Sequence, residues 1–148
     1  MCVEGVVAPA GDVYLLVGLA GVGKYTIALA LERSLGARGD EVRLVDNHYT
    51  CNPIFGLIAQ DGITPLPPTV LDRVGEIRET VARTIEAVSP TDWSFIFTHV
   101  IDGPADEEWV ERLARVAKTR ALGSSWCESS ATSTSYWDAS SPLLVVSG

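Results

Sequence analysis

The stretch Val13-Tyr14-Leu15-Leu16-Val17-Gly18-Leu19-Ala20-Gly21-Val22-Gly23-Lys24-Tyr25-Thr26 passes from an apolar run through a glycine cluster into a helical pattern. Val13 to Val17 is nearly continuous in β-formers, which suits a buried parallel strand. From Thr26 to Leu35 the apolar residues Ile27, Ala30, Leu31 and Leu35 fall at helical spacing, and Gly36 or Gly39 closes the helix. Val42 to Val45 reads as a second short strand, ended by Asp46-Asn47-His48. Strand, glycine loop, helix and strand make a βαβ crossover.

The glycine cluster fits G-x-x-G-x-G-K-x-T over Gly18 to Thr26. Holding a polyphosphate takes several converging N–H donors, and glycines let the main chain curl close enough to supply them. The helix that follows offers unpaired N–H groups and the positive end of its dipole. Lys24 then reaches the β and γ phosphates as a point charge. Gly18, Gly21, Val22, Gly23, Lys24, Tyr25 and Thr26 are therefore the expected nucleotide-binding residues, for a nucleoside triphosphate and ATP above all. The bland alternative is a glycine-rich turn with an accidental lysine.

Further along, Ile54, Phe55, Leu57 and Ile58 suggest a short helix, while Asp61-Gly62 and the prolines up to Pro68 mark loop. From Thr69, the residues Val70, Val74, Ile77, Val81, Ile85 and Val88 form one apolar stripe that Ser89-Pro90 stops. Trp93 to Thr98 is the third predicted strand and Ala105 to Arg120 the next long helix. The alternation predicts a three-layer α/β fold with a mostly parallel sheet.

On the loop residues the chain resembles the P-loop small-molecule kinases, the adenylate kinase and shikimate kinase group, whose Walker A loop is often G-x-x-G-x-G-K-x-T. The resemblance spans roughly residues 12–120, specific in the loop and loose elsewhere. It implies a P-loop NTPase fold, ATP, Mg²⁺ and phosphoryl transfer to a small-molecule acceptor. The stricter pattern places the Mg²⁺-ligating hydroxyl directly after the lysine. Tyr25 stands there and Thr26 one place on, so the metal is expected to be held largely through water and phosphate oxygens, with Thr26 as the hydroxyl at hand.

Two carboxylates complete the expected site. Asp46 follows the second strand, at the sheet edge where open α/β proteins place ligands. In the resembling kinases an acid near that point contacts the acceptor hydroxyl as base or anchor, so Asp46 joins Lys24 as a candidate catalytic residue. Asp46 reads equally as a cap for the next segment. Asp102 lies past the third strand, where P-loop proteins keep a carboxylate that orients Mg²⁺. It sits several residues late, and Asp102-Gly103 also reads as a turn. His48 reads as a loop residue, and Asn47 is open to hydrogen bonding.

The chain has 148 residues, enough for one domain with a core. Its formal net charge of −8 makes nucleic acid and anionic membranes poor partners. Any phosphate must then be held by a local device. Cys2, Cys51 and Cys127 are odd in number and too widely spaced for a metal site or a disulfide framework. Met1 to Gly11 lacks the basic start of a signal peptide, and no run approaches the roughly 18 apolar residues of a membrane span. A cytoplasmic protein is expected.

The domain reads as residues 1–121, followed by a serine-rich segment at 122–148 that holds no lysine or arginine. The late arginines of the resembling kinases are absent there, and so are most of the strands that would complete a five-stranded sheet. Such serine-rich text is what a GC-rich gene gives in a wrong frame. Back-translated from Ala121 with third codon positions chosen freely, one shifted frame can stay open and read as a strand followed by an arginine-bearing helix. Two other functions fit parts of the pattern. One is a regulatory nucleotide-binding ATPase without an acceptor. The other is a dinucleotide-binding oxidoreductase fragment, since three glycines precede Asp46 by about twenty residues. Lys24 and the glycine order argue against the second.

Overall fold

The computed structural model describes residues 10–101, 104–124 and 143–146. In chain order the elements are β1 (Val13–Val17), α1 (Lys24–Gly36), β2 (Val42–Val45), α2 (Asn47–Phe55), α3 (Pro68–Ala87), β3 (Ser94–His99), α4 (Pro104–Ser124) and β4 (Leu143–Val146). The sheet order is β2-β3-β1-β4. β2, β3 and β1 are parallel, with Val17 opposite His99 and Val45 opposite Phe97, whereas β4 runs antiparallel to β1.

Alternation along the strands divides the core in two. Val13, Leu15, Phe95 and Phe97 face Ala82 and Ile85 of α3 and Leu113, Val116 and Ala117 of α4. Leu16 and Ile96 point the other way, onto Ala28 and Leu35 of α1 and Val42. The β1-to-β2 crossover steps over β3 and the return to β3 runs back. Right-handed crossovers in opposite directions leave their helices on opposite faces, and the two clusters follow that rule. The result is an open α/β sheet with helices on both faces.

Three elements differ in detail from the sequence reading. In α1 the core stripe is Ala28, Leu31 and Leu35, and Ile27 is 49% exposed. The small Ala28 lets the helix lie close over the strands, which turns Ile27 away. The helix α2 begins at Asn47, well before the expected apolar cluster, because the Asp46 side chain caps it by accepting from the His48 N–H at 3.0 Å. Pro53 lies inside that helix, where it removes one donor without ending it. The α3 stripe holds at Val74, Val81 and Ile85, but Val88 falls past the helix end and is exposed.

Arg120 of α4 is 3% exposed and binds four main-chain carbonyls. Nη1 donates to Ile85 at 2.9 Å, and Nη2 to Pro90, Thr91 and Trp93 at 2.7–3.1 Å. One side chain thereby fastens the α3–β3 connection to α4. No helix among the described residues is long and apolar enough to cross a membrane. Most of the segment 122–148 lies outside the described residues; Leu143–Val146 within it forms β4.

Candidate functional site

The carboxyl ends of β1, β2 and β3 lead into the glycine loop, into α2 and towards α4. The chain leaves β1 for α1 on one face, and its neighbour β3 for α4 on the other. Such a divergence opens a crevice at the strand ends, the usual ligand position in open α/β sheets.

Gly21 and Gly23 have φ of 78° and 88°, in the left-handed region that glycine enters without a Cβ penalty. Those two turns deliver the chain into α1 at Lys24. No side chain caps this helix start, and its first turn contains no acid. Among the described residues, no capping side chain or first-turn acid therefore neutralises the unpaired N–H groups and the helix dipole. The Lys24 ammonium turns back over the loop, donating to the Gly18 carbonyl at 2.9 Å and the Leu19 carbonyl at 2.6 Å. Partial burial lowers its proton affinity, and the charge of Asp46 acts against that shift. Tyr25 and Thr26 are both exposed in the first turn.

Asp46 is 5% exposed. Its Oδ2 accepts from Thr98 Oγ1 at 2.7 Å, while Oδ1 accepts from the His48 N–H at 3.0 Å and lies 2.6 Å from His48 Nδ1. Burial pushes the carboxyl up, but the hydrogen bonds from Thr98 and His48 outweigh it and hold Asp46 below its usual range. A carboxylate held this firmly in its charged form is a weak proton acceptor and a good anchor. It is also the cap of α2, as the second reading of Asp46 expects.

A polar chain runs on from there. The Asn47 N–H donates to Thr98 Oγ1 at 3.0 Å, and Asn47 Oδ1 accepts from Arg78 Nη2 at 2.9 Å. His99, 1% exposed, places Nε2 2.9 Å from Asp106 Oδ1. Burial and the cations Arg78 and Lys24 lower its pKa against the pull of Asp106, so the ring is neutral near pH 7.

Lys24, Asp46 and the loop are thus gathered at one sheet edge. Asp102 lies outside the described residues. Among the described residues no cluster of three or more His, Cys, Asp or Glu side chains could hold a metal ion. Cys51 is buried and unpaired, while Cys2 and Cys127 lie outside the described residues. Sequence reasoning passed over Thr98, His99, Asp106 and Arg78. Two polar residues closing an otherwise apolar strand were a usable signal for Thr98 and His99. Arg78 had one too: it lies four residues after Val74 and four before Ala82, on the buried face of α3, unlike the exposed Arg73 and Arg83.

No family model, curated protein or solved structure matches the chain.

Proposed function

We propose that the chain has a P-loop nucleotide-binding fold, binds ATP with Mg²⁺ at Gly18–Thr26, and transfers the γ-phosphoryl group to a small acceptor beside Asp46. The observation that carries this reading is the start of α1: uncapped, free of acids, entered through two left-handed glycines and crossed by the Lys24 ammonium. That arrangement suits a polyanion and little else. Phosphate oxygens replace the two loop carbonyls as partners of Lys24.

Mg²⁺, when bound with the nucleotide, neutralises charge on the β and γ phosphates. The Thr26 hydroxyl lies in the first helical turn, and the Asp46 carboxylate is held ionised near Lys24. Both fit a hard cation that keeps several waters. In the transfer, a bond forms between the acceptor oxygen and the γ-phosphorus while the bond to the β–γ bridging oxygen breaks. The acceptor proton leaves to solvent or phosphate, and Asp46 orients the hydroxyl. ADP departs with the bridging oxygen.

The sheet order weighs against the dinucleotide alternative. In dinucleotide-binding halves the first and second strands are neighbours, and here β3 separates them.

Binding of a non-hydrolysable ATP analogue, with and without Mg²⁺, tests the proposal. Lys24→Ala is expected to weaken binding at least about tenfold, roughly 1.4 kcal/mol; equal affinity in the two proteins removes the assignment. Turnover stimulated by an acceptor marks a kinase, whereas slow hydrolysis indifferent to any acceptor marks a regulatory ATPase. NADH binding that ATP does not compete with would restore the oxidoreductase reading.

A further inference from the structure

We infer that His48 is a general base of this site, its ring held by Asp46 so that Nε2 takes the proton of the hydroxyl or water that attacks the γ-phosphorus. The inference rests on the phosphoryl-transfer reading and gives the departing proton a first stop on its way to solvent.

The proton positions follow from the partners. Asp46 is held ionised, so its oxygens only accept. Its Oδ1 lies 2.6 Å from His48 Nδ1, and that nitrogen therefore carries the proton of the neutral ring. Nε2 is left with a bare lone pair. The His48 side chain is 72% exposed, and among the described residues nothing bonds to Nε2. One ring nitrogen is tied to a buried carboxylate while the other is left to solvent.

The carboxylate is itself fixed. Thr98 Oγ1, near the end of β3, donates to Oδ2 at 2.7 Å and accepts from the Asn47 N–H at 3.0 Å. Asp46 is 5% exposed and already receives the Thr98 hydroxyl, the His48 N–H and the His48 ring. A group entering the crevice meets the imidazole before the carboxylate. The cap of α2 does not require this pairing, because the His48 main-chain N–H alone satisfies it. An exposed imidazole oriented by a buried carboxylate is the arrangement of a base and its positioning partner. The pair also stands beside the glycine loop, since the Asp46 charge acts on Lys24. The chain's other histidine, His99, lies 2.9 Å from a carboxylate oxygen of Asp106, but at 1% exposure its ring is closed off from a substrate.

In the step, the nucleophile gives its proton to Nε2 as its oxygen bonds to the γ-phosphorus. The bond from phosphorus to the β–γ bridging oxygen breaks, its electron pair stays on that oxygen, and ADP leaves. The Asp46 carboxylate stabilises the imidazolium, which then returns its proton to solvent.

The test uses the full chain with Mg²⁺–ATP and water as the nucleophile. His48→Ala keeps the main-chain N–H of the cap and should melt within about 2 °C of wild type. Its affinity for the ATP analogue should stay within about twofold, while ATP hydrolysis falls about a hundredfold. Added imidazole should raise the variant's rate at least about tenfold and leave the wild type unchanged. A second measurement needs no variant, and so stands even if His48→Ala fails to fold. In ¹⁵N-labelled wild type at about pH 8.5, where an ordinary imidazole is neutral, the ring shifts should place the His48 proton on Nδ1. A proton on Nε2, equal hydrolysis in the variant, or a loss that imidazole does not repair overturns the inference and leaves the phosphoryl-transfer reading in place. A wild type that binds the analogue but hydrolyses no ATP also overturns it, with nucleotide binding intact. An analogue that does not bind removes the nucleotide reading, and the inference with it.

Discussion

Asp46 caps α2 and, in the proposed function, also anchors the acceptor, and different substitutions separate the two roles. As a cap it needs only an acceptor oxygen for the His48 N–H, and asparagine caps helices as well as aspartate does. As an anchor it needs the negative charge that Thr98 and His48 sustain. Asp46→Asn is therefore expected to leave the melting temperature within about 2 °C. It should leave ATP-analogue affinity within about twofold and reduce acceptor-dependent turnover about a hundredfold. Asp46→Ala loses the cap too and should cost about 1 kcal/mol of stability, or roughly 2–4 °C. Full turnover in Asp46→Asn would leave the residue with a capping role only. The pH dependence has a definite sign. Because the folded carboxyl is held below its ordinary value, its contribution to stability is complete above the usual aspartate range and declines as the pH falls through the folded value. Lys24 complements it, since a partly desolvated ammonium with two carbonyl partners can exchange them for phosphate at small cost.

Between elements, the contact most exposed to test is the Arg112 clamp of α4 on α3. Its guanidinium meets Glu86 at 2.7 and 2.8 Å and Glu79 at 2.8 and 3.2 Å, and its side chain is only 15% exposed. Hydrogen bonds from Arg112 and then Arg83 hold Glu79 down at about 2. Arg112→Met leaves Glu86 without its partner and should cost about 2 kcal/mol, lowering the melting temperature by roughly 4–8 °C. In wild type the clamp's contribution is complete above the ordinary glutamate value near 4.5 and is lost as the pH drops towards 2. Thermal melts across that interval should show the wild type losing its advantage over Arg112→Met; a constant difference would mean the clamp acts through packing alone. This pairing could not be read from the sequence. Periodicity marks which side of a helix is apolar, and α3 obeyed it at Val74 and Ile85. It does not say which polar residue faces the sheet edge and which faces water, because that depends on how far the helix overhangs the strands. The glycine loop and Asp46 were legible for the opposite reason. Their backbone demands are local, a left-handed turn at Gly21 and Gly23 and a cap one residue before α2. The extent of α2 was hidden because Asn52-Pro53 signals a break that the capped helix overrides.

At the scale of the whole molecule, the distribution of positive charge is the feature to explain. Every lysine and arginine lies at or before Arg120, and the serine-rich text begins directly after. Phosphoryl transfer gains most from cations that meet the charge moving from ADP to the acceptor. On the β1 edge the sheet departs from its parallel pattern, because β4 pairs antiparallel there. Both departures fall on one side of the same point in the chain, as a change of reading frame near Ala121 would produce. The coding DNA checks this directly: one shifted frame past Ala121 should stay open and encode a strand and then a helix bearing arginines. Stop codons or shapeless composition in that frame would end the idea. The protein made with the frame restored should turn over an acceptor at least about a thousandfold faster, the effect a single transition-state arginine has in related chemistry. Its ATP-analogue affinity should stay within about threefold, because the loop, Lys24 and the start of α1 all precede the change. Equal rates from the two proteins would mean that the cations the proposed transfer needs already lie among the first 120 residues.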